Sequence, residues 1–424
     1  MRNAFRPVLF GEGRLYLKEG GFVMTVKTIE NAHNSLRDVL HCTPISSSHT
    51  FSKTSGAELY LKCENLQKTG SFKVRGAYNK IRKLKARENV TSVVAASAGN
   101  HAQGVAYAAS VLGMESTIVM PLSTPIAKVS ATEGYGAKVV LHGEYYDDAY
   151  QKAIEIQNET GASFVHPFDD EDVIEGQATT AIEILKDLPT ADVILVPAGG
   201  GGLLAGVAYY VKEINPRVRV IGVQAQSADA LVRSFKQGAL TSTQTAKTIA
   251  DGIAVKNPGG LTFDYIRRYA DEMVTVTDGE ISDSILLLLE RTKMLVEPAG
   301  AASLAAAIYK KADIAGKRVV CVLSGGNIDV SFIHKIVEKG LVKRGRQMKF
   351  STVMPDSPGS LAYFSQIVAG RGANIIMIQY DRLNASLSLT DAILHVVCEV
   401  GGGAHGEELI KSLEESGYKI NMES

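Results

Sequence analysis

Residues 193–203 read Val-Ile-Leu-Val-Pro-Ala-Gly-Gly-Gly-Gly-Leu, a short apolar run followed at once by four consecutive glycines. The run Val193–Val196 predicts a buried strand, because aliphatic residues bounded by proline and glycine are typical of one. An apolar helical pattern begins at Leu203, so the glycines lie between a strand and the amino end of a helix. Four glycines are costly in chain entropy for a plain turn. We therefore interpret them as backbone N–H groups that cradle a phosphate.

Five similar runs predict further buried strands, and helix-like stretches follow most of them. This alternation predicts parallel α/β units with helices on both faces of the sheets. Ligands in such sheets bind at the carboxyl ends of the strands, so functional loops are expected directly after these runs. The glycine spacing matches neither the dinucleotide fingerprint nor the P-loop. The five runs are Val93–Ala96, Thr117–Met120, Lys138–Leu141, Val218–Val223 and Val319–Leu323.

A length of 424 residues predicts two or three domains. Lys plus Arg equals Asp plus Glu at 45 each, which gives no electrostatic case for a nucleic-acid or anionic-membrane partner. The four cysteines form no C-x-x-C pair, so free thiols in a reducing, cytoplasmic compartment are expected. The amino terminus lacks the apolar core of a signal peptide, and residues 1–24 are predicted to be an N-terminal extension.

The composition changes near Leu341, where a basic stretch predicts a linker over residues 341–348. The residues after this stretch have the order strand, helix, strand, strand, helix, strand. That βαββαβ order predicts a small ferredoxin-like sandwich. Its predicted strands are Lys349–Met354, Asn374–Gln379, Ala392–Val400 and Tyr418–Asn421, and its helices lie near Leu361–Val368 and over Glu407–Ser416.

The segment Ser71–Ala77 reads Ser-Phe-Lys-Val-Arg-Gly-Ala and places Lys73 between Phe72 and Val74. A lysine near a helix start is usually a solvated surface charge, but this one has apolar neighbours on both sides. Desolvation lowers the pKa of a lysine from about 10.4 toward neutrality, and an unprotonated amine can form a Schiff base. The segment therefore suggests a reactive lysine.

Two further loops follow predicted strands. Ser97–His101 reads Ser-Ala-Gly-Asn-His and offers backbone donors and an amide where a carboxylate or phenolic oxygen could bind. Ser324–Asn327 reads Ser-Gly-Gly-Asn and offers a neutral hydroxyl at the base of a cleft. Each loop is a weak signal by itself, and a lone His101 would more often be structural than a catalytic base.

Together, the lysine segment, the two loops and the four glycines resemble the fold-type II pyridoxal-phosphate enzymes. Within that family the chain is similar to the threonine and serine dehydratases. The resemblance extends over about residues 40–340 and includes Glu297–Ala301 and Asp251–Ile253. It implies an α/β enzyme built from parallel sheets with helices on both faces.

The resemblance also implies a domain organisation. A large domain is expected over residues 25–85 and 166–340, with a small α/β domain over residues 86–165. The C-terminal residues 349–424 resemble an ACT domain, the small amino-acid-sensing unit attached to many metabolic enzymes.

The resemblance implies bound pyridoxal 5'-phosphate, carried by Lys73 as a Schiff base, with Lys73 also serving as the base that removes the α-proton of the substrate. It implies that Phe72 packs on the cofactor ring, Asn100 hydrogen-bonds the phenolic oxygen and Ser324 faces the pyridine nitrogen. The other implied cofactor contacts are Gly199, Gly200, Gly201, Gly202, Leu203 and Gly252. The substrate carboxylate is expected to contact Ser97, Ala98, Gly99, Asn100 and His101.

The implied reaction removes water and then ammonia from threonine or serine. The neutral hydroxyl of Ser324 does not hold the pyridine nitrogen protonated, which favours prompt loss of the β-hydroxyl. Racemases of this family carry a second serine where this chain has Ala98, which counts against racemisation as the main activity. Some members bind a divalent cation through a glutamate where this chain has Gln224, so no metal is expected there.

Two other functions stay open, a β-replacement enzyme and a catalytically idle amino-acid sensor. The ACT-like module is expected to bind a branched-chain amino acid or similar end product near Gly359 at a subunit interface, or else to mediate oligomerisation only. The expected partners are an amino-acid substrate, this effector and further copies of the chain in a homodimer or homotetramer. Threonine and serine differ by one methyl group, so the sequence does not rank them.

Overall fold

The structure, a computed structural model, describes residues 24–87, 90–383 and 388–423. It divides the chain into two compact units, one ending at Ile328 and the other beginning at Asp329. The predicted N-terminal extension lies outside the described residues except for Met24. Across the three described stretches, we find no helix with the length and apolar character needed to cross a membrane.

The first unit contains a six-stranded sheet in the order β1-β2-β10-β7-β8-β9, parallel except for the antiparallel edge strand β1. The sequence predicted β7, β8 and β10 to within two residues, and these strands are confirmed. It missed β1, β2 and β9, which are short or carry charged residues at their ends. The strands are β1 (Ile45–Ser47), β2 (Glu58–Lys62), β7 (Val193–Pro197), β8 (Arg219–Ala225), β9 (Glu272–Val276) and β10 (Arg318–Val322).

A second sheet of the first unit has four parallel strands in the order β5-β4-β3-β6. Three of them match the predicted runs in position, but the edge strand β5 is not buried as predicted, and the two-residue strand β6 was missed. The chain enters this sheet after β2 and leaves it before β7, so the larger sheet is interrupted in sequence. The strands are β3 (Ser92–Ala96), β4 (Glu115–Met120), β5 (Lys138–Leu141) and β6 (Ser163–Phe164).

Helices pack on these sheets and bury their apolar stripes, so the predicted α/β class with parallel sheets is confirmed. The helices are α1 (Val26–Leu36), α2 (His49–Ser55), α3 (Lys73–Lys85), α4 (Asn100–Val111), α5 (Ile126–Glu133), α6 (Tyr146–Thr160), α7 (Glu171–Asp187), α8 (Gly202–Ile214), α9 (Ala230–Gln237), α10 (Gly260–Tyr269), α11 (Asp278–Thr292) and α12 (Pro298–Ile308).

The second unit begins with α13 (Val330–Lys343) and continues as a βαββαβ sandwich. Its antiparallel sheet has the order β12-β13-β11-β14, with the first and third strands in the centre, and the predicted ferredoxin-like order is confirmed. Its elements are β11 (Gln347–Pro355), α14 (Ser360–Gly370), β12 (Asn374–Asp381), β13 (Asp391–Glu399), α15 (Gly403–Glu415) and β14 (Ile420–Met422).

The predicted linker over residues 341–348 differs from the structure. Helix α13 continues to Lys343 and β11 begins at Gln347, so only residues 344–346 connect them. The first residues of this stretch, up to Lys343, belong to an amphipathic helix whose Ile336 is buried, whereas Arg344 and Arg346 lie in the short connection to β11. The second unit also begins at Asp329, ahead of the predicted end of the large domain at residue 340.

A buried group of four charges joins α3 to β2 and α7. The guanidinium of Arg75, 1% exposed, donates to both oxygens of Glu64 at 2.8 Å and to both oxygens of Glu183 at 2.7 and 2.9 Å. Lys62 donates to Glu183 at 2.5 Å and to the carbonyl of Thr43 at 2.6 Å. Burial alone would lower the pKa of Arg75, but the two carboxylates raise it above its ordinary value. These buried ion pairs therefore fix the helix that begins with Lys73, because water cannot reach the charges to replace a lost partner.

We expect Arg75→Met to lower the free energy of unfolding by about 3–5 kcal/mol, because Glu64 and Glu183 would lose their shared partner while remaining buried. Urea unfolding followed by circular dichroism measures the change. The control is Arg87→Met, since Arg87 is 56% exposed and lies 3.9 Å from Asp172; it should cost less than about 1 kcal/mol. Equal losses in the two variants would contradict a stabilising role for the buried charges.

Candidate active site

Lys73 is the first residue of α3, and its amine lies within the first unit. Its Nζ donates to the carbonyl of Pro167 at 2.8 Å and lies 5.4 Å from the ring centroid of Phe72. Burial lowers the pKa of Lys73 to about 8, although the carboxylate of Glu297 acts in the opposite direction. An appreciable share of this amine is therefore unprotonated near neutral pH, as a nucleophile or a base requires.

The tetraglycine loop connects β7 to α8, which begins at Gly202. Gly201 has φ +100°, a conformation that side chains disfavour, and a Cβ there would lie 2.7 Å from Cδ1 of Ile266. A Cβ on Gly200 would lie 2.4 Å from the ring of Phe168. The loop therefore has no room for side chains at Gly200 and Gly201. The first turn of a helix has N–H groups without intrahelical acceptors, which suits a phosphate.

The Asp251–Ile253 turn lies against the tetraglycine loop. A Cβ on Gly199 would lie 2.9 Å from the Cα of Ile253 and 3.2 Å from the carbonyl oxygen of Gly252. The structure thus brings the predicted contact Gly252 beside the predicted phosphate cradle. The side chain of Leu203, by contrast, is buried in the hydrophobic core, so only its backbone can contact a ligand.

The Ser97–His101 loop follows β3, and α4 begins within it at Asn100. The Oγ of Ser97 accepts from the N–H of Gly99 at 3.3 Å, and the positive amino end of α4 suits a carboxylate. Nε2 of His101 bonds the carbonyl of Val165 at 2.8 Å. Burial, followed by the charge of Lys73, lowers the pKa of His101 to about 3. The imidazole is therefore neutral and held in place.

Ser324 follows β10 and is buried. Its carbonyl accepts from the N–H of Phe72 at 3.1 Å, which ties this loop to the segment that carries Lys73. A neighbouring bridge joins Ser71 to Gly325. Three of the predicted loops, after β3, β7 and β10, thus lie at carboxyl ends of parallel strands, as expected for this class of sheet.

The sequence did not single out the segment Val165–Phe168, which follows the missed strand β6. Its carbonyls accept from His101 and from Lys73, and its Phe168 packs under the tetraglycine loop. The His-Pro-Phe-Asp-Asp cluster beginning at His166 could have indicated a loop. Because the strand before it was not predicted, the sequence did not place this loop at the carboxyl end of a strand, where the site is expected.

Glu297 was noted only as part of the family resemblance. It is 4% exposed, and both of its carboxylate oxygens accept from Nδ2 of Asn100 at 2.8 and 2.9 Å. Burial raises the pKa of Glu297 to about 7, and the hydrogen bond from Asn100 opposes that change. An acidic residue directly before Pro298 and an almost entirely apolar helix was the signal that could have indicated it.

Gln224, where the sequence argued against a cation, is fully buried. Its Oε1 accepts from the N–H of Val232 at 2.9 Å, so this oxygen binds the first turn of α9. Within the described parts of the chain, we find no group of three or more His, Cys, Asp or Glu residues suited to a metal ion. The absence of a metal at Gln224 stays a prediction.

A reactive lysine amine, a bare backbone cradle at a helix start and a neighbouring amide fit one cofactor, pyridoxal 5'-phosphate. Lys73 can bind its aldehyde, Gly199–Leu203 its phosphate and Asn100 its ring oxygen. The sequence profile of the family "Pyridoxal-phosphate dependent enzyme" matches residues 36–325, and the chain belongs to this family. The predicted cofactor and the predicted fold-type II resemblance are confirmed.

More specific similarities agree with this class. The chain is 46% identical over 400 residues to the L-threonine ammonia-lyase of Thermotoga maritima, covering 94% of this chain and 100% of that protein. The structure of the processed form of threonine deaminase isoform 2 from Solanum lycopersicum has a TM-score of 0.70 and 35% identity, covering 78% of this chain and 92% of the other. Maize serine racemase has a TM-score of 0.71 and 34% identity, covering 76% and 99%.

We expect Gly201→Ala to weaken the binding of pyridoxal 5'-phosphate by at least about tenfold, because the new Cβ displaces the loop and its N–H donors. Fluorescence titration of the apo-protein measures the dissociation constant. The matched control is Gly238→Ala, where φ is +68° and no atom lies within 4 Å of the new Cβ. That variant has only the backbone cost of about 1 kcal/mol, and its cofactor affinity should equal that of the wild type. Equal affinities for all three proteins would contradict the cradle.

Proposed function

We propose that this protein is an L-threonine ammonia-lyase, which converts L-threonine to 2-oxobutanoate and ammonia and also converts L-serine to pyruvate. The observation that carries the proposal is the partly buried amine of Lys73, with its pKa lowered to about 8, in the family's cofactor site. The relative of that name, similar over nearly the whole chain, supports the choice of reaction.

The bound cofactor supplies an electron sink for negative charge at the Cα of an amino acid. Lys73 removes the Cα proton, since its amine is basic enough and its position at the start of α3 is fixed. Backbone N–H groups at the start of α4, together with Ser97, bind the substrate carboxylate. This contact orients the Cα–H bond toward Lys73 and holds the β-hydroxyl on the substrate in place for its departure.

Two residues favour elimination over related reactions of the family. Ser324 is neutral, so with the cofactor bound it would place no negative charge beside the pyridine nitrogen, which would favour prompt departure of the β-hydroxyl. Ala98 has no proton to deliver to the face of Cα opposite Lys73. The similarity to maize serine racemase therefore concerns the fold and the cofactor site rather than the main reaction.

We expect the wild-type protein to release 2-oxobutanoate from L-threonine and pyruvate from L-serine, and Lys73→Ala to lose at least about three orders of magnitude in kcat. A coupled lactate dehydrogenase assay measures both 2-oxo acids. Lys85→Ala is the control, because Lys85 lies at the other end of α3 and is exposed; it should retain wild-type activity.

The alternatives predict different results in the same experiment. A protein that binds the cofactor but turns over neither hydroxy-amino acid would be a β-replacement enzyme or a catalytically idle sensor. Addition of a thiol or sulfide with O-acetyl-L-serine would then separate the two, since only the replacement enzyme would form a new β-substituted amino acid.

We further propose that the ACT-like unit binds a branched-chain amino acid as an effector, near Gly359 at a subunit interface of a homodimer or homotetramer. A concave surface there is lined by Asp356, Leu361, Tyr380 and Arg382. The Nε of Arg382 lies 2.9 Å from Asp356, and its guanidinium stands 5.0 Å from the ring centroid of Tyr380. A cation and an anion beside apolar side chains complement a zwitterion with an aliphatic side chain.

We expect L-isoleucine to inhibit the enzyme, and Arg382→Ala to raise the concentration for half-maximal inhibition at least about tenfold, because the carboxylate of the effector loses its cationic partner. Initial rates at a fixed L-threonine concentration measure this value. Arg371→Ala, an exposed arginine at the other end of α14, is the control and should be inhibited like the wild type. If no branched-chain amino acid changes the rate, the unit is structural, as in an oligomerisation module.

We also propose that the predicted large domain, ending at Ile328 rather than at residue 340, and the small domain over residues 86–165 act as two domains that enclose the site. The two sheets of the first unit support this division, because all strands of the smaller sheet come from within residues 86–165. A cytoplasmic location is proposed on the free cysteines, of which Cys63, Cys321 and Cys398 are buried.

A further inference from the structure

Glu297 is a buried carboxylate in the site for which the proposed reaction has no use. It precedes α12, and its N–H donates to the carbonyl of Gly325 at 3.0 Å. A Cβ on Gly325 would lie 2.3 Å from Oε1 of Glu297, so a glycine at that position makes room for the carboxylate. Burying a carboxylate costs free energy, and the glycine at position 325 leaves space for this one, which suggests that the carboxylate has a role.

The carboxylate controls the orientation of the Asn100 amide. Nδ2 of Asn100 donates to both oxygens of Glu297, while Oδ1 of Asn100 accepts from Nδ2 of Asn327 at 2.7 Å. Nδ2 of Asn327 also donates to the carbonyl of Thr69 at 2.7 Å, which fixes Asn327 as the donor. The amide of Asn100 therefore cannot flip without placing like groups against each other on both sides.

One N–H of Asn100 remains for a ligand. The two oxygens of a single carboxylate lie close together, so both face the same N–H of Nδ2. The amide nitrogen carries two N–H groups, so the second N–H of Nδ2 would be left to donate to a phenolic oxygen on a bound ring. An anion behind an amide also strengthens the amide as a donor, because hydrogen bonds polarise one another in a chain.

We propose that Glu297 is a positioning residue of the cofactor site: through Asn100 it aims an N–H at the cofactor's ring oxygen, and its negative charge favours a proton on the nitrogen of Lys73. The proposal rests on the proposed function, because it requires pyridoxal 5'-phosphate at Lys73. It assigns Glu297 a role in cofactor binding and electronics, and none in contact with the reacting atoms.

The charges near Glu297 agree with this role. Lys73 and Lys128 attract its negative charge, and Asp251 repels it. Lys128 and Asp251 lie 3.3 Å apart, so they largely offset one another as seen from Glu297. The attraction of Lys73 for Glu297 is the weakest of the three, but at Lys73 the carboxylate of Glu297 is the charge that opposes the effect of burial on the pKa.

The test compares the holoenzyme of the wild type with Glu297→Gln and Glu297→Asp. Two quantities are measured for each: the dissociation constant of pyridoxal 5'-phosphate, and the pH midpoint at which the absorption band of the bound cofactor changes. Titrations run above pH 7, where Glu297 carries its charge. Glu159→Gln is the control, because Glu159 is exposed near the end of α6.

We expect Glu297→Gln to bind the cofactor about tenfold more weakly and to lower the pH midpoint by about one unit, because the neutral amide no longer favours the proton. Glu297→Asp keeps the charge but withdraws from Asn100, so its midpoint should stay near that of the wild type while its affinity falls. The control should match the wild type in both measurements.

A folded Glu297→Gln protein with the affinity and midpoint of the wild type would overturn the inference. So would equal midpoints for Glu297→Gln and Glu297→Asp, since a purely structural carboxylate would affect stability without any dependence on charge. Failure of the wild type itself to form the absorption band would instead contradict the proposed function.

Discussion

The buried ion pairs of Arg75 are the constraint on which the site depends. Arg75 lies two residues after Lys73 on the same helix, and its guanidinium is held between Glu64 and Glu183. Burial alone would raise the pKa of Glu183, but Arg75 and Lys62 hold it below the ordinary value, so the charges remain charged. A buried charge that loses its partner cannot replace it with water, so separating these ion pairs is costly. The ion pairs therefore fix the position of the first turn of α3.

Burial favours the uncharged forms of both Lys73 and Glu297. It lowers the pKa of Lys73 to about 8 and raises the pKa of Glu297 to about 7, while the attraction between the two acts in the opposite sense on each. The balance keeps both groups able to change their protonation state near neutral pH. Such groups are expected at functional sites, where proton transfer must be inexpensive in free energy.

Much of the fold was predictable because local pattern and burial coincide in this class of protein. Runs such as Val193–Val196 and Val93–Ala96 are fully buried central strands, and strands buried on both faces are continuously apolar. The missed strand β6 is two residues long, and the segment Val165–Phe168 after it was missed with it. The linker predicted over residues 341–348 is shorter in the structure, because α13 continues to Lys343 and β11 begins at Gln347.

The sequence by itself determined the strand–loop–helix units, the reactive lysine segment and the phosphate cradle, since each depends on residues adjacent in the chain. Only the tertiary structure decided that Glu297 binds Asn100, that the carbonyls of Val165 and Pro167 hold His101 and Lys73, and that Gly252 lies beside Gly199. These contacts join residues far apart in sequence. No local pattern encodes them, because they arise only when separate strands bring their carboxyl ends to one place.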